Sequence, residues 1–304
     1  CLETCANGVP GRTMRGSLRV SRFSFVSNSS GQRLFLEDCE YRFTSNTPTA
    51  SYSNGKLNIS GATHGETLFN YVGSIAYSEG ACTSGMRTYI GSQYLANPVL
   101  SVTGSKPCRA ENGFYVNATG STATRLTFDI ANATGDAEAD FTTASVTAAD
   151  ADLVSFVKKG DGTLLLSEVN IPGTNPFEIA AGTVELGCSG CLGETAALAL
   201  TGGSLAVAAG TENTLQSLAI SADTTLTLGD GATLTVTDPT AEWATDMMVN
   251  IVGDPEKCTL KFGDESGSLS PRQVRRIRWN GEKCHVEEDG TVVPGALGMV
   301  LLLR

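Results

Sequence analysis

The chain has 304 residues, 41% hydrophobic and only 17% charged, with 34 glycines and a net charge of −11. That length and apolar content suffice for a sizeable core and exclude a disordered chain. No long stretch carries apolar residues at the three- and four-residue spacing of amphipathic helices, so the fold expected is all-β.

The charge is unevenly placed. Residues 1–125 carry eleven Lys/Arg against seven Asp/Glu, residues 126–256 carry two lysines against nineteen acids, and residues 257–304 carry eight bases against six acids. The net values are +4, −17 and +2. So acidic a middle is repelled by nucleic acid and anionic lipid, and neither is an expected partner. Its simplest use is to keep a repetitive β protein soluble.

Nine cysteines (Cys1, Cys5, Cys39, Cys82, Cys108, Cys188, Cys191, Cys258 and Cys284) stand beside only two histidines, His64 and His285. That is a poor supply for zinc or haem, and no cofactor is expected. Small polar composition favours an oxidising compartment with several disulfides, the odd count leaving at least one thiol over. No secretory leader opens the sequence, as expected of a chain numbered after its removal. The longest apolar run, Ala296 to Leu303, is broken by Gly298 and too short to span a bilayer, so no transmembrane segment is expected.

In chain order, residues 1–150 read as an N-terminal β-rich region of short strands between Gly- and Ser-rich turns. Leu18-Arg19-Val20, Leu57-Asn58-Ile59 and Leu100-Ser101-Val102 continue similarly, at separations of 39 and 43 residues. Two readings fit this irregular period: a solenoid with about two coils per repeat, or an aromatic-rich β-sandwich. Asn28, Asn58, Asn117 and Asn132 open formal N-glycosylation acceptors, read here as turns.

Residues 151–254 form the repeat region. Apolar pairs fall at Leu164/Leu166, Val184/Leu186, Leu205/Val207 and Leu226/Leu228, with steps of 20, 21 and 21 residues. A second series, Phe177/Ile179, Leu198/Leu200 and Leu218/Ile220, runs between them at steps of 21 and 20. Two interleaved series at one period mean a solenoid whose coils bury their inward residues against one another, and a right-handed parallel β-helix is its natural geometry.

Lys158-Lys159-Gly160-Asp161-Gly162-Thr163-Leu164-Leu165-Leu166-Ser167 followed by Ala180-Ala181-Gly182-Thr183-Val184-Glu185-Leu186-Gly187 resembles the autotransporter-associated β-strand repeat, K-x-G-x-G-T-L-x-L and then A-G-T-L-x-L. The match covers about 32 residues, with weaker continuations to about Asp238. The resemblance implies a parallel β-helix in a secreted or surface-displayed bacterial protein, without enzymatic activity in the repeat. No run of amphipathic strands for a C-terminal membrane barrel accompanies it.

Residues 255–304 read as a capping segment. Ser270-Pro271-Arg272-Gln273 is a capping box opening a short helix through about Ile277. Ile277–Trp279 can then pair with Cys284–Val286, and Asp289-Gly290 turns into Thr291–Val293. Such a segment closes the end of a solenoid, which otherwise exposes edge strands and core.

The candidate chemistry is sparse. Cys258 and Cys284 flank the expected helix and are the first disulfide candidates, with Cys82 and Cys108 second. Cys188-Ser189-Gly190-Cys191 has redox spacing but follows a strand, not a helix N-terminus, so a loop clip is the reading here. Gly160-Asp161-Gly162, Gly229-Asp230-Gly231 and Gly263-Asp264-Glu265 match no calcium loop and read as turns. Arg272, Arg275, Arg276 and Arg278 read as a solvated basic face. No catalytic, cofactor or metal residues are expected. The functional expectation is a structural surface protein (filament, surface layer, stalk or adhesin-like module) with self-association or a glycan or cell-surface ligand. The alternative is a carbohydrate-active or glycan-binding β-helix, which requires two or more carboxylates and a basic residue converging in one groove.

Overall fold

The computed structural model describes the backbone of residues 14–20, 33–43, 56–65, 69–72, 74–84, 88–90 and 97–295, except 117–122, 133–138, 149 and 169–175; within these, side chains are described from Ile75 onward, apart from 79, 83–89 and 151. Cys1, Cys5, the acceptors at Asn28 and Asn117 and the apolar run 296–303 lie outside the described residues, as do the side chains of Cys39, Asn58 and His64.

The chain is all-β, built from long parallel ladders compatible with a β-helix or solenoid. Its clearest expression is one file of register partners, a residue from each successive strand. The file runs Leu34, Leu57, Ile75, Leu100, Phe128, Lys158, Ile179, Leu200 and Ile220, and an isolated parallel bridge carries it to Trp243. A second file joins Cys108, Phe141, Leu164, Val184, Leu205, Leu226, Ile251 and Trp279. Alternation along each strand turns these residues inward: Phe128, Leu164, Val184, Ile179, Leu200 and Leu226 are completely buried. A third set of ladders stacks Phe69–Val72, Thr88–Ile90, Phe114–Val116 and Val146–Ala148 early in the chain, and Thr233–Asp238 with Thr259–Phe262 late.

Both apolar series of the repeat region therefore lie in register, at the period read from the sequence. In the N-terminal region every strand pair from Met14–Val20 to Val99–Thr103 is parallel, which fits the solenoid reading and not the antiparallel pairs of a sandwich. The 43-residue separation of Leu57 and Leu100 spans two ladder steps, through Ile75. Leu18, by contrast, pairs with Tyr41 and stands in another file. The ladders also cross residue 150 without a break, Thr124–Ile130 pairing with Val154–Lys159 and Phe141–Thr143 with Thr163–Leu166.

Aromatic rings fill the wider part of the core. Phe128, Phe156 and Phe177 form one cluster, with centroids 6.3 Å (Phe128–Phe156) and 6.0 Å (Phe156–Phe177) apart. Tyr77, Phe114 and Phe141 form another, the closest pair at 5.0 Å. Each such pair adds about 1 kcal/mol beyond the area that it buries. From Leu198 onward the files carry aliphatic residues until they end on tryptophan.

The parallel pattern stops at Ile277–Trp279. That strand pairs antiparallel with Glu282–Val286, which pairs antiparallel with Val292–Pro294. The helix before it, α1 (Pro271–Val274), is a single turn, shorter than the sequence suggests because Ile277 is drawn into the ladder beside Val249. Its capping box is complete: Ser270 Oγ accepts from the Gln273 amide and the Gln273 side chain accepts from the Ser270 amide. Leu269 is buried at its start.

Candidate functional site

The first place where chemistry departs from simple packing is the corner at Gly160–Gly162. Lys158 occupies an inward position, between Phe128 and Ile179 in the first file, and is completely buried. Backbone that turns a corner cannot use the ladder to satisfy its carbonyls, and an unpaired buried carbonyl costs about 1–3 kcal/mol. The Lys158 ammonium meets that need. Its Nζ donates to the carbonyls of Lys159 at 2.8 Å, Gly160 at 2.7 Å and, one repeat on, Ala181 at 3.2 Å. Three donors thus meet three acceptors. Burial lowers its pKa from 10.5 to about 8, while the carboxylates of Asp129, Asp140 and Asp161 act in the opposite direction. Asp140, also buried, accepts from the Thr163 amide at 2.7 Å and so completes the same corner.

Space there is tight. A Cβ on Gly182, whose φ is +65°, would lie 2.4 Å from the Gly162 carbonyl oxygen and 2.7 Å from Lys158 Nζ. One turn later no lysine is present, and Thr224 Oγ1 donates to the Gly203 carbonyl at 2.7 Å instead. The sequence presents Lys158 only as a letter of the repeat motif. The signal that marks it is a lysine standing on an otherwise apolar register.

The six candidate cysteines are all thiols in the structure. Cys82 and Cys108 do not pair, because Cys82 is opposite the exposed Arg109 and faces outward, whereas Cys108 is buried on the inner face. Cys82 donates to Glu111 Oε1 at 3.6 Å, and burial with that carboxylate raises its pKa to about 11. Cys258 and Cys284 are not joined either. Each thiol bonds within its own turn, Cys258 to the Asp254 carbonyl at 3.0 Å and Cys284 to the Glu282 carbonyl at 3.7 Å.

Cys188 and Cys191 differ from these, since they stand three residues apart on one turn. Asn213, buried on a neighbouring strand, holds their turn by both backbone ends. Its Nδ2 donates to the Cys188 carbonyl at 3.0 Å and its Oδ1 accepts from the Cys191 amide at 2.9 Å. Nothing in the sequence singles out Asn213, since an asparagine in a β-rich chain reads as a turn residue.

The outer faces are plain. The register file beside that of Lys158 reads Thr127, Val157, Glu178, Ala199, Ala219, of which Val157 is buried, and the outward file of the second ladder reads Thr142, Leu165, Glu185, Ala206, Thr227, Val252. Each carries one acid. Glu178 is engaged by Arg125 and by Thr201 Oγ1 at 3.0 Å. A shallow groove of about 660 Å³ adjoins them, with Thr201, Ser221, Glu242 and Trp243 in its lining. Trp243 is half-buried in that lining: it ends the first file, its Nε1 donates to the Leu218 carbonyl at 3.0 Å, and its ring forms a T-shaped pair with Phe262.

Two carboxylates and a base do converge on Lys257, which lies 2.9 Å from Asp230 and 3.4 Å from Asp254, but all three are exposed at a turn. Among the described residues no group of three or more His, Cys, Asp or Glu could hold a metal ion. Of the basic cluster, Arg276 donates to the Thr245 carbonyl at 2.9 Å and faces Asp246, while Arg278 donates to the Arg275 and Ile277 carbonyls. Arg276 thus fastens the C-terminal segment to the repeat region, while the bonds of Arg278 lie within that segment. Among the described residues no helix is long and apolar enough to cross a membrane. Compared with models of protein families, with curated proteins and with solved structures, the chain matches none.

Proposed function

We propose that the chain is a right-handed parallel β-helix that serves as a structural element of a secreted or surface-displayed bacterial assembly: a filament, surface layer, stalk or adhesin-like module without catalytic activity. The observation that carries this reading is the first file, in which nine strands and the bridge residue Trp243 give one residue each to the same register position. Such a chain builds length and shape by repetition. Helix α1 and the antiparallel strands after it act as the terminal lid. The likeness of residues 158–187 to the autotransporter-associated repeat supports a surface location, and in an oxidising compartment a clip across Cys188 and Cys191 is compatible with their place on one turn.

Lys159 is the one exposed cation of residues 126–256, so this stretch presents an almost wholly acidic surface to the basic N-terminal region of another copy. Association between chains is expected, weakening as salt screens it. Light scattering and negative-stain imaging across a salt series test the reading: particles that lengthen at low salt support it, and a monomer at every salt concentration counts against it.

A glycan-binding β-helix is the second reading, favoured by the groove with Thr201, Ser221 and Trp243 in its lining; with one carboxylate, Glu242, and no base there, the groove lacks the set that turnover requires. A binding and turnover screen against bacterial and host polysaccharides separates the two, because turnover of any of them would remove the non-catalytic reading.

A further inference from the structure

The turn from Cys188 to Cys191 is built differently from every other cysteine site among the described residues. Cys191 is completely buried, and its Sγ lies 3.2 Å from the Leu166 carbonyl oxygen. Cys188, three residues away on the same turn, is partly exposed. Around them the backbone is pinned from the neighbouring strand: Asn213 holds the Cys188 carbonyl and the Cys191 amide, the Gly190 amide donates to the Glu212 carbonyl at 2.8 Å, and Ser189 Oγ accepts from the Glu212 amide at 3.0 Å. One carboxamide thus clamps both ends of the turn, with one cysteine open to solvent and the other buried.

We propose that Cys188 and Cys191 form a reactive dithiol that a small-molecule disulfide converts into an intrachain bridge, with Cys188 as the entry nucleophile and Cys191 as the resolving thiol. In the first step the Cys188 thiolate attacks one sulfur of the disulfide, breaks its S–S bond and releases one thiolate, leaving a mixed disulfide on Cys188. In the second step Cys191 gives up its proton to solvent, attacks the Cys188 sulfur and displaces the second thiolate. Two protein thiols are oxidised and the small disulfide is reduced to two thiols. The order follows from access. It also follows from charge, because burial and the neighbouring Cys188 both raise the Cys191 pKa, and capping Cys188 as a neutral mixed disulfide removes the second of these.

The test uses the reduced full chain, treated with oxidised glutathione and quenched with acid at intervals. Peptide mapping by mass then isolates the segment with Cys188 and Cys191 from the other seven cysteines. Wild type is expected to show a transient glutathione adduct on Cys188, then loss of two hydrogens with no adduct. In Cys191→Ser the adduct on Cys188 persists. In Cys188→Ser, labelling of Cys191 is slowed at least roughly tenfold relative to Cys188 in wild type. Circular dichroism checks that both variants fold, and the wild-type time course decides the matter alone if they do not. A wild-type adduct that stays on Cys188, an adduct first seen on Cys191, or no reaction at either thiol overturns the proposal.

Discussion

Two corners in adjacent repeats meet the same problem with different chemistry. At Gly160–Gly182 inward carbonyls are satisfied by the charged Lys158, whereas at Cys188–Cys191 the carbonyl and amide are satisfied by the neutral Asn213. The first corner is closed so tightly that a Cβ on Gly182 would clash with two carbonyls and the ammonium; at the second, a Cβ on Gly190 meets nothing within 4 Å. An ion plugs a corner where three acceptors converge. An amide suffices when one donor and one acceptor face each other. The charged solution carries a desolvation cost that the neutral one avoids, and it makes one corner sensitive to pH.

The sharpest way to break this comparison is Gly182→Ala. Positive φ and overlap act together there, and a loss of more than about 4 kcal/mol is expected from urea unfolding followed by circular dichroism. A loss below that of Gly190→Ala would show that the first corner is not tight. Lys158→Met comes next. It keeps the bulk of the stem but removes the donors from the Gly160 and Ala181 carbonyls, and a loss of about 3 kcal/mol is expected at pH 7. A neutral result would mean that water or backbone movement satisfies those carbonyls.

The pH dependence sharpens the same contrast. Below pH 8 Lys158 is protonated in both folded and unfolded chains and contributes no slope. Between 8 and 10.5 the unfolded chain retains a proton that the folded chain has released, so raising the pH favours the folded state through that window. The gain is on the order of 2–3 kcal/mol over the whole span. The neutral amine keeps two donors for the carbonyls, which is why deprotonation does not imitate the methionine variant. Comparing unfolding of wild type and Lys158→Met at pH 7.5 and pH 10 isolates this contribution, and equal slopes would remove it. The smallest effect is expected from Gly190→Ala, about 1 kcal/mol, from the positive φ of +62° alone.

The inward series Leu164, Val184, Leu205, Leu226 was legible because every 20–21 residues the same side chain type returns to the same register. Upstream the steps along the first file are 23, 18, 25, 28 and 30 residues from Leu34 to Lys158, and no fixed period survives such variable corners. There the ladder is set by backbone pairing and not by repetition of sequence. Polar groups inside the core were hidden for a different reason. Asn213, and Lys158 in its bond to Ala181, serve carbonyls and amides of neighbouring turns 22 to 25 residues away in the chain, and such partners have no local signature. The disulfide candidates Cys258 and Cys284 illustrate the converse, since flanking a helix in sequence does not bring two thiols together.

The two tryptophans of the chain stand at the last positions of the two inward files, Trp243 on one and Trp279 on the other. Their indoles donate to the carbonyls of Leu218 and Gly253, so both chromophores sit within the final turns. Intrinsic fluorescence is therefore a local gauge that sees one end of the stack, while far-ultraviolet circular dichroism averages over every strand. A stack of repeats coupled only to nearest neighbours can melt in stages. Where the two optical signals part company in a denaturant titration, the distance between their midpoints reads how far cooperativity extends along the stack.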